Sequence, residues 1–233
     1  MTTRSSVLEA LREVHDPELD EPITSLRFVT SCEVTRDGDV DIRLRLPTPQ
    51  CAPNFAYLMA ADARDAVRRL PGVRRVAVRL EDHYTGEEIN AAIAHGGGFA
   101  EAFPGETDDD DLGALRDLFR RKALTARQAR LCEALLADGA TPEQVTARRV
   151  SELPDGPDAR RCLELRAQLG IPRDHDAPAF VLPGGDPVAA RELERWLRSA
   201  RLIRTSLDVN GGMCRSLLRI RHQLEPDPEE VAP

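Results

Sequence analysis

The chain has 233 residues, of which 41% are hydrophobic but only 4% aromatic, and its formal net charge is −8. This content suffices for a packed core of Leu, Val, Ile and Ala in one large domain or two small ones. The acidic balance argues against nucleic acid as the main partner, because phosphate binding needs a basic surface. No stretch approaches the roughly 18 apolar residues of a membrane span, so we expect no membrane association.

The five cysteines occur at wide spacings, which does not suggest a disulfide framework. The first residues lead into a charged amphipathic segment without the apolar run of a secretion signal. We therefore expect a cytoplasmic protein with reduced thiols.

The first 80 residues predict the element order α-β-β-α-β. Helical spacing of apolar residues, period-two alternation and a turn at Arg36–Asp39 define these elements. The helices are predicted at residues 5–14 and 52–70, and the strands at residues 23–35, 40–46 and 73–80. Two helices on a three-stranded sheet form a two-layer α/β sandwich of the α+β type.

The remainder of the chain is predicted to form a second, mainly helical domain. Residues 83–106 contain Gly96-Gly97-Gly98 and Pro104-Gly105, which are typical of a linker. Thr107 followed by four aspartates, Asp108–Asp111, predicts a capped helix start. Further helices are predicted at residues 124–136, from Thr141-Pro142 onward, and at residues 157–169 and 187–200. Asn210-Gly211-Gly212 predicts the turn of a terminal β-hairpin over residues 202–221.

The most informative motif is Thr48-Pro49-Gln50-Cys51, which follows a predicted strand and precedes a predicted helix. The first turn of a helix has unpaired backbone N–H groups and carries partial positive charge. A thiol there loses its proton more readily, and the thiolate is the form that binds metals or attacks electrophiles. Cys51 is therefore the first candidate functional side chain. The alternative is that it is a small buried residue at a helix start.

Three ordered pieces of the sequence resemble the SufT/PaaD-like iron–sulfur assembly family. The resemblance covers about residues 5–81. Its pieces are Val7-Leu8-Glu9-Ala10-Leu11 leading to Val14-His15-Asp16-Pro17-Glu18, the Thr48-Pro49-Gln50-Cys51 turn, and Leu70-Pro71-Gly72-Val73-Arg74-Arg75-Val76-Ala77-Val78.

The resemblance implies a small α/β domain that helps to deliver or mature iron–sulfur or related metal centres, without turning over a small-molecule substrate. On matching positions, Cys51 takes the family's functional cysteine, Thr48 its turn threonine, and Asp16 and Glu18 its acidic loop. The family often has Gly-Cys-Pro where this chain has Gln50-Cys51-Ala52, with the proline one place late. That departure bears on how the thiol is presented.

One thiolate cannot by itself hold a cluster that normally takes four cysteine ligands. Cys32 lies in a predicted strand and is expected to be a core residue. An iron–sulfur cluster or iron at Cys51 would therefore be transient, with ligands shared by a second protomer, a small thiol or a client. Asp16 and Glu18 would support the site as polar groups or transient ligands, the alternatives being ordinary turn chemistry and solvation. Thr48 is expected to shape the turn.

The other motifs in the sequence provide weaker evidence of function. His95-Gly96-Gly97-Gly98 resembles an esterase oxyanion-hole segment, but no Gly-x-Ser-x-Gly elbow accompanies it. Nucleotide-binding loops are absent from the sequence. Residues 124–150 resemble a helix-turn-helix only vaguely, and the acidic total disfavours DNA binding. Structural roles are expected for the remaining cysteines, Cys132, Cys162 and Cys214.

The sequence thus predicts an accessory factor, not an enzyme, for iron–sulfur cluster or metal-centre assembly in a client metalloenzyme. The expected partners are that client or other assembly proteins, with a homodimer possible. The predicted organisation is an assembly-factor domain at residues 1–82, a linker at 83–106, an accessory domain at 107–225 and a disordered tail at 226–233. The alternative function is a metal-free adaptor. A thiol-redox enzyme is the weaker rival, because no resolving cysteine is evident.

Overall fold

The computed structural model describes residues 2–107 and 112–224. The chain divides into two compact units, the first formed by Met1–Gly113 with Val209–Pro233 and the second by Ala114–Asp208. The first unit is therefore discontinuous in sequence. The predicted helix start at Asp108–Asp111 and the predicted tail at 226–233 lie outside the described residues.

The first unit contains the predicted α-β-β-α-β order with additions. Its elements before Gly113 are α1 (Arg4–Arg12), β1 (His15–Asp16), β2 (Glu21–Pro22), β3 (Val29–Val34), β4 (Asp39–Arg45), α2 (Pro53–Arg68), β5 (Arg75–Glu81), α3 (Gly86–His95) and α4 (Phe99–Ala102). The main sheet has the order β3-β4-β5, and β1 and β2 pair as a separate small hairpin. The strand predicted from residue 23 begins only at Val29, because turns occupy the residues after β2.

The sheet has one apolar and one polar face, as the period-two pattern predicts. Strand β3 runs antiparallel to β4, and β5 runs parallel to it. Val40, Ile42 and Leu44 are buried on one face. On the other face Arg43 contacts Glu81 at 3.2 Å between nitrogen and oxygen. The predicted two-layer α/β sandwich is therefore confirmed.

The linker predicted at residues 83–106 is wrong, because this stretch forms α3 and α4. Ile89, Ala92 and Ile93 recur at helical spacing and are buried in the first unit. Gly96 ends α3 in the left-handed conformation with φ 78°, which glycine adopts without a Cβ penalty. The first of the three glycines is therefore a helix cap and not the start of a flexible hinge.

The second unit is mainly helical, as predicted. Its helices are α5 (Gly113–Ala137), which begins one residue before the unit, α6 (Pro142–Ala147), α7 (Pro157–Leu169) and the first part of α8 (Leu193–His222). Thr141 caps α6 and accepts a hydrogen bond from Gln144 N, while the Gln144 side chain accepts from Thr141 N. This capping box, with proline at the first helical position, confirms the start predicted from Thr141-Pro142.

The terminal β-hairpin predicted over residues 202–221 is wrong, since α8 runs without interruption from Leu193 to His222. The start of α8 was also predicted too early, at residue 187. A 3₁₀ turn over Ala190–Glu192 precedes the helix, which begins at Leu193. Glycine lowers helix stability by roughly 1 kcal/mol, which tertiary packing can offset. At Gly211, which lies inside the helix, a Cβ atom would come within 2.6 Å of Glu21 Oε1, the end of a flexible side chain. None of the helices in the described part of the chain is long and apolar enough to cross a membrane.

Candidate functional site

Cys51 lies on the loop between β4 and α2. Helix α2 has Ala52 as its N-cap and Pro53 at its first position, so Cys51 precedes the cap by one residue. Its backbone N–H donates to Thr48 O at 3.3 Å, and Thr48 Oγ1 lies 3.6 Å from Cys51 Sγ in hydrogen-bonding geometry. Cys51 is half-buried as a residue. Thr48 and Cys51 therefore form one turn, as the sequence predicts.

His83 holds the same loop from the end of β5. Its Nε2 lies 2.7 Å from Cys51 O, and since a carbonyl only accepts, Nε2 carries the proton. Nδ1 then accepts from Thr85 N at 3.3 Å. Tyr84 N also donates to Pro49 O at 3.1 Å. Sequence reasoning found no role for His83, because its partner is a backbone carbonyl distant in the chain.

Asp16 is buried at the β1–β2 hairpin. Its Oδ1 accepts from Glu18 N at 2.8 Å and from Leu19 N at 2.9 Å. Burial raises the pKa of Asp16 to about 6, against the lowering effect of these two hydrogen bonds, and the charges of Glu18 and Glu21 raise it further. Asp16 therefore shapes the acidic loop and is less acidic than a solvated aspartate.

Cys214 lies on α8, and the sequence analysis gave it only a structural role. Burial raises the pKa of its thiol to about 11, with further increases from Asp16, Cys51 and Glu18 and a lowering effect of Arg215. Asp16, Glu18, Cys51 and Cys214 are therefore electrostatic neighbours in the first unit. The helical spacing of Leu207, Gly211, Cys214 and Leu218 would have been the signal, but Asn210-Gly211-Gly212 concealed it.

The charges of Asp16, Cys51 and Glu18 act on the Cys214 thiol, but these side chains do not form a ligand group. Within residues 2–107 and 112–224, no three or more His, Cys, Asp or Glu side chains form a group that could hold a metal ion. A surface pocket of about 360 Å³ adjoins the Cys51 loop and is lined by Pro49, Asp82, His83 and Tyr84, among others. The site can therefore offer thiols to a metal or cluster but cannot enclose one completely.

Comparisons with known proteins place the Cys51 loop inside a family module. The family described as iron-sulfur cluster assembly protein matches residues 4–79. An uncharacterized protein of Methanocaldococcus jannaschii is 36% identical over 93 residues, which cover 40% of this chain and 96% of that protein. The chain belongs to the iron–sulfur cluster assembly protein family.

A further relative is the iron-sulfur cluster carrier protein of Synechocystis. It is 35% identical over 80 residues, which are 34% of this chain and 22% of the carrier protein. The match thus spans about a fifth of that carrier. These findings confirm the family resemblance of the N-terminal region and support a role in iron–sulfur cluster assembly.

The assembly-family module contains Cys51, Thr48, Asp16 and Glu18, but not every residue that surrounds the thiol. His83 lies beyond the matched residues, and so does Cys214. The structural role predicted for Cys214 rested on its wide spacing from the other cysteines, and it stays a prediction.

Proposed function

We propose that the chain carries an iron–sulfur cluster or iron to a client metalloenzyme or another assembly protein, with Cys51 as the key thiolate. It does so as an accessory factor, without turning over a small-molecule substrate. The cluster is cargo and its binding is transient. The observation that carries this proposal is the half-buried Cys51 thiol on a doubly anchored loop of an assembly-family module.

The anchoring of the loop suits a carrier. Thr48 contacts the thiol, and His83 fixes the cysteine's own carbonyl, so the sulfur position is set before cargo arrives. Preorganisation of this kind reduces the entropy lost on binding. The relative in Synechocystis is itself an iron-sulfur cluster carrier protein, which supports the same role here.

Incomplete ligation explains how cargo could leave. Clusters normally take four cysteine thiolates, and the described residues bring no three or more His, Cys, Asp or Glu side chains together as a metal-binding group. The missing ligands come from a client, a small thiol or a second protomer, and exchange of those ligands moves the cluster onward. Asp16 and Glu18 support the site by shaping the loop and adding negative charge beside the thiols.

Anaerobic purification of the full chain tests the proposal. We expect iron and sulfide to copurify, with visible charge-transfer absorbance, and Cys51→Ser to lower both contents by about tenfold or more. The matched control is Cys132→Ala, which removes a thiol that is fully buried in the second unit. Wild-type iron content in Cys51→Ser would refute the thiolate role.

The same preparation separates the alternative functions. A metal-free adaptor would bind a client equally well with and without Cys51, and no variant would change its metal content. A thiol-redox enzyme would instead turn over a disulfide substrate and lose that turnover in Cys51→Ser. Reduction kinetics with a disulfide substrate therefore complete the comparison.

Client recognition by the accessory domain is the second part of the proposal. A truncation at about Gly105 would be an unsuitable test, because residues 209–222 belong to the first unit and would be lost with the second. Anaerobic pull-down with the full chain identifies the client instead. The mass of the same complex in solution shows whether the chain is a monomer or a homodimer.

A further inference from the structure

The turn between β5 and α3, residues 82–85, has a left-handed backbone conformation at its first residue. Strand β5 ends at Glu81 and α3 begins at Gly86, and Asp82 has a φ of 55°. Among residues other than glycine, aspartate and asparagine tolerate this region best. Such a residue keeps the conformation only where surrounding contacts hold it. The contacts of Asp82 therefore decide how the chain leaves β5.

The residues that follow Asp82 hold the Cys51 loop. His83 Nε2 donates to Cys51 O at 2.7 Å, and Tyr84 N donates to Pro49 O at 3.1 Å. Both acceptors are backbone carbonyls, so these hydrogen bonds fix the path of the loop backbone. A change of the backbone at Asp82 would shift His83 and Tyr84, and with them the loop that presents the thiol.

The carboxylate of Asp82 is held by the last turn of α8. Arg221 Nη2 lies 2.6 Å from Asp82 Oδ2, and the two side chains are 31% and 47% exposed. This part of α8 belongs to the first unit. Leu218 is buried there with 2% exposure, and Arg215 pairs with Glu21 of β2 at 2.5 Å. Arg221 therefore pairs with Asp82 from a helix end that other contacts keep in place.

We propose that Arg221 and Asp82 are positioning residues for Cys51. Their ion pair fixes the start of the β5–α3 turn, and His83 extends that constraint to the Cys51 carbonyl. The end of α8 thereby sets how readily the thiol loop opens. The proposal deepens the proposed function, on which it rests, by naming an element that regulates the same site. Arg221 lies far outside residues 4–79, which match the assembly family, so the positioning depends on a part of the chain that the family match does not include.

Alkylation of Cys51 in the reduced, metal-free full chain tests the proposal, with iodoacetamide as the probe and peptide mass spectrometry as the readout. We expect Arg221→Ala to speed the alkylation about threefold, because loss of a partly exposed ion pair changes a local opening equilibrium by about that factor. Asp82→Asn should do the same, since asparagine tolerates the left-handed backbone but carries no charge. Arg12→Ala, which removes an exposed ion pair with Glu9 on α1, is the matched control and should keep the wild-type rate.

A double variant separates positioning through His83 from general loosening. If Arg221 acts through His83, adding Arg221→Ala to His83→Phe should not speed the alkylation of Cys51 further. Arg221→Lys keeps a cation and should retain most of the wild-type protection. A wild-type rate in an Arg221→Ala variant that is folded by circular dichroism would overturn the proposal. So would an equal increase on adding Arg221→Ala to His83→Phe.

The salt dependence of the alkylation rate provides a second measurement that needs no change in α8. Higher ionic strength screens the partly exposed pair of Arg221 and Asp82, so it should speed the alkylation of Cys51 in the wild type. Iodoacetamide is uncharged, and in His83→Phe the same increase in salt should have little effect. A salt effect of equal size in both proteins would contradict the positioning role.

Iron analysis distinguishes failure of this proposal from failure of the proposed function. Loss of iron in Cys51→Ser, with a wild-type alkylation rate in Arg221→Ala, would remove the positioning role and leave the carrier role. Full retention of iron in Cys51→Ser, with faster alkylation in Arg221→Ala, would remove the carrier role and leave the positioning of the thiol. Loss of iron in the first variant together with faster alkylation in the second supports both.

Discussion

The cysteines of the two units lie in contrasting surroundings. In the second unit Cys132 and Cys162 are fully buried in a hydrophobic cluster with Leu124, Leu165 and Phe180. Burial, with a contribution from Glu133, raises the pKa of Cys132 to about 11. In the first unit Cys32 is buried as well, but Cys51 and Cys214 are only half-buried. Burial raises the pKa of Cys214 to about 11, as it does that of Cys132. Packing among aliphatic side chains makes a cysteine inert, so Cys51 is the thiol that contrasts with those of the second unit.

The buried polar side chains show the same contrast. Arg166 in the second unit donates to the carbonyl oxygens of Pro178 at 2.9 Å and Ala179 at 2.5 Å, and to Gln128 Oε1 at 3.3 Å. It therefore joins α7 to the chain that follows it. Asp16 in the first unit organises a four-residue turn beside the thiols. The buried guanidinium of Arg166 therefore stabilises the fold of the second unit. The buried carboxyl of Asp16 stabilises a turn of the candidate site.

The largest effect is expected from Arg166→Met. The apolar replacement would leave the carbonyl oxygens of Pro172, Pro178 and Ala179 and the buried Gln128 side chain without this donor. We expect a loss of about 4 kcal/mol in the free energy of unfolding, measured by urea denaturation with circular dichroism. Arg160→Met, at an exposed position of the same helix, is the control and should cost less than about 0.5 kcal/mol. Equal stability of the two variants would contradict the structural role of Arg166.

The second largest effect is expected for Asp16→Asn, in the pH dependence of the free energy of unfolding. Burial, aided by Glu18 and Glu21, raises the pKa of Asp16 from 3.8 to about 6 in the folded protein. The stabilising contribution of the protonated acid is fully present below about pH 4 and is lost as pH rises through about 6. A shift of about two units corresponds to ~3 kcal/mol.

Asparagine keeps an oxygen for the two backbone N–H groups but has no charge to desolvate. We therefore expect Asp16→Asn to gain up to about 3 kcal/mol relative to wild type between about pH 4 and pH 7. Urea denaturation at several pH values measures this difference. The exposed variant Asp37→Asn serves as the control for general charge effects. A difference between Asp16→Asn and wild type that does not change with pH would show that Asp16 ionises without cost.

The fold was predictable wherever periodicity was strong and turn chemistry unambiguous. The strand around Ile42, the helix from Pro53 and the capping box at Thr141 follow from local pattern, and the structure confirms them. The two largest failures, the linker and the terminal hairpin, share a cause, because glycines were interpreted as turns or linkers. Gly96 is a helix cap, and Gly211 permits a close approach to Glu21. Only the tertiary structure distinguishes these uses of glycine.

The candidate site was also predictable only where its contacts are local in sequence. Thr48 and Cys51 belong to one turn, so their proximity was evident from the sequence. Cys214 reaches the same place only because α8 returns residues 209–222 to the first unit. His83 acts on a backbone atom, and no side-chain motif indicates such a contact. Local chemistry was therefore predictable, whereas contacts with residues from distant parts of the chain were not.

The smallest effect is expected for a substitution of His83. It tests whether the Cys51 loop needs its contact with His83 in addition to the contact with Thr48. His83→Phe keeps an aromatic ring but removes the Nε2–H donor to Cys51 O. We expect a loss of about 1 kcal/mol in the free energy of unfolding. We also expect faster alkylation of Cys51, because the loop would open more often.

His83→Gln is the matched variant, since its side-chain amide N–H can still reach toward the Cys51 carbonyl. We expect this variant to retain much of the stability of the wild type. The alkylation rate of Cys51, followed by mass spectrometry of the intact chain, is the more informative measurement, because lost packing alone would not change it selectively over that of Cys214. If Cys51 reacted at the wild-type rate in His83→Phe, Thr48 and the turn alone would suffice to position the thiol. A selective increase, reversed in His83→Gln, would establish that His83, which follows β5, positions the sulfur through the backbone.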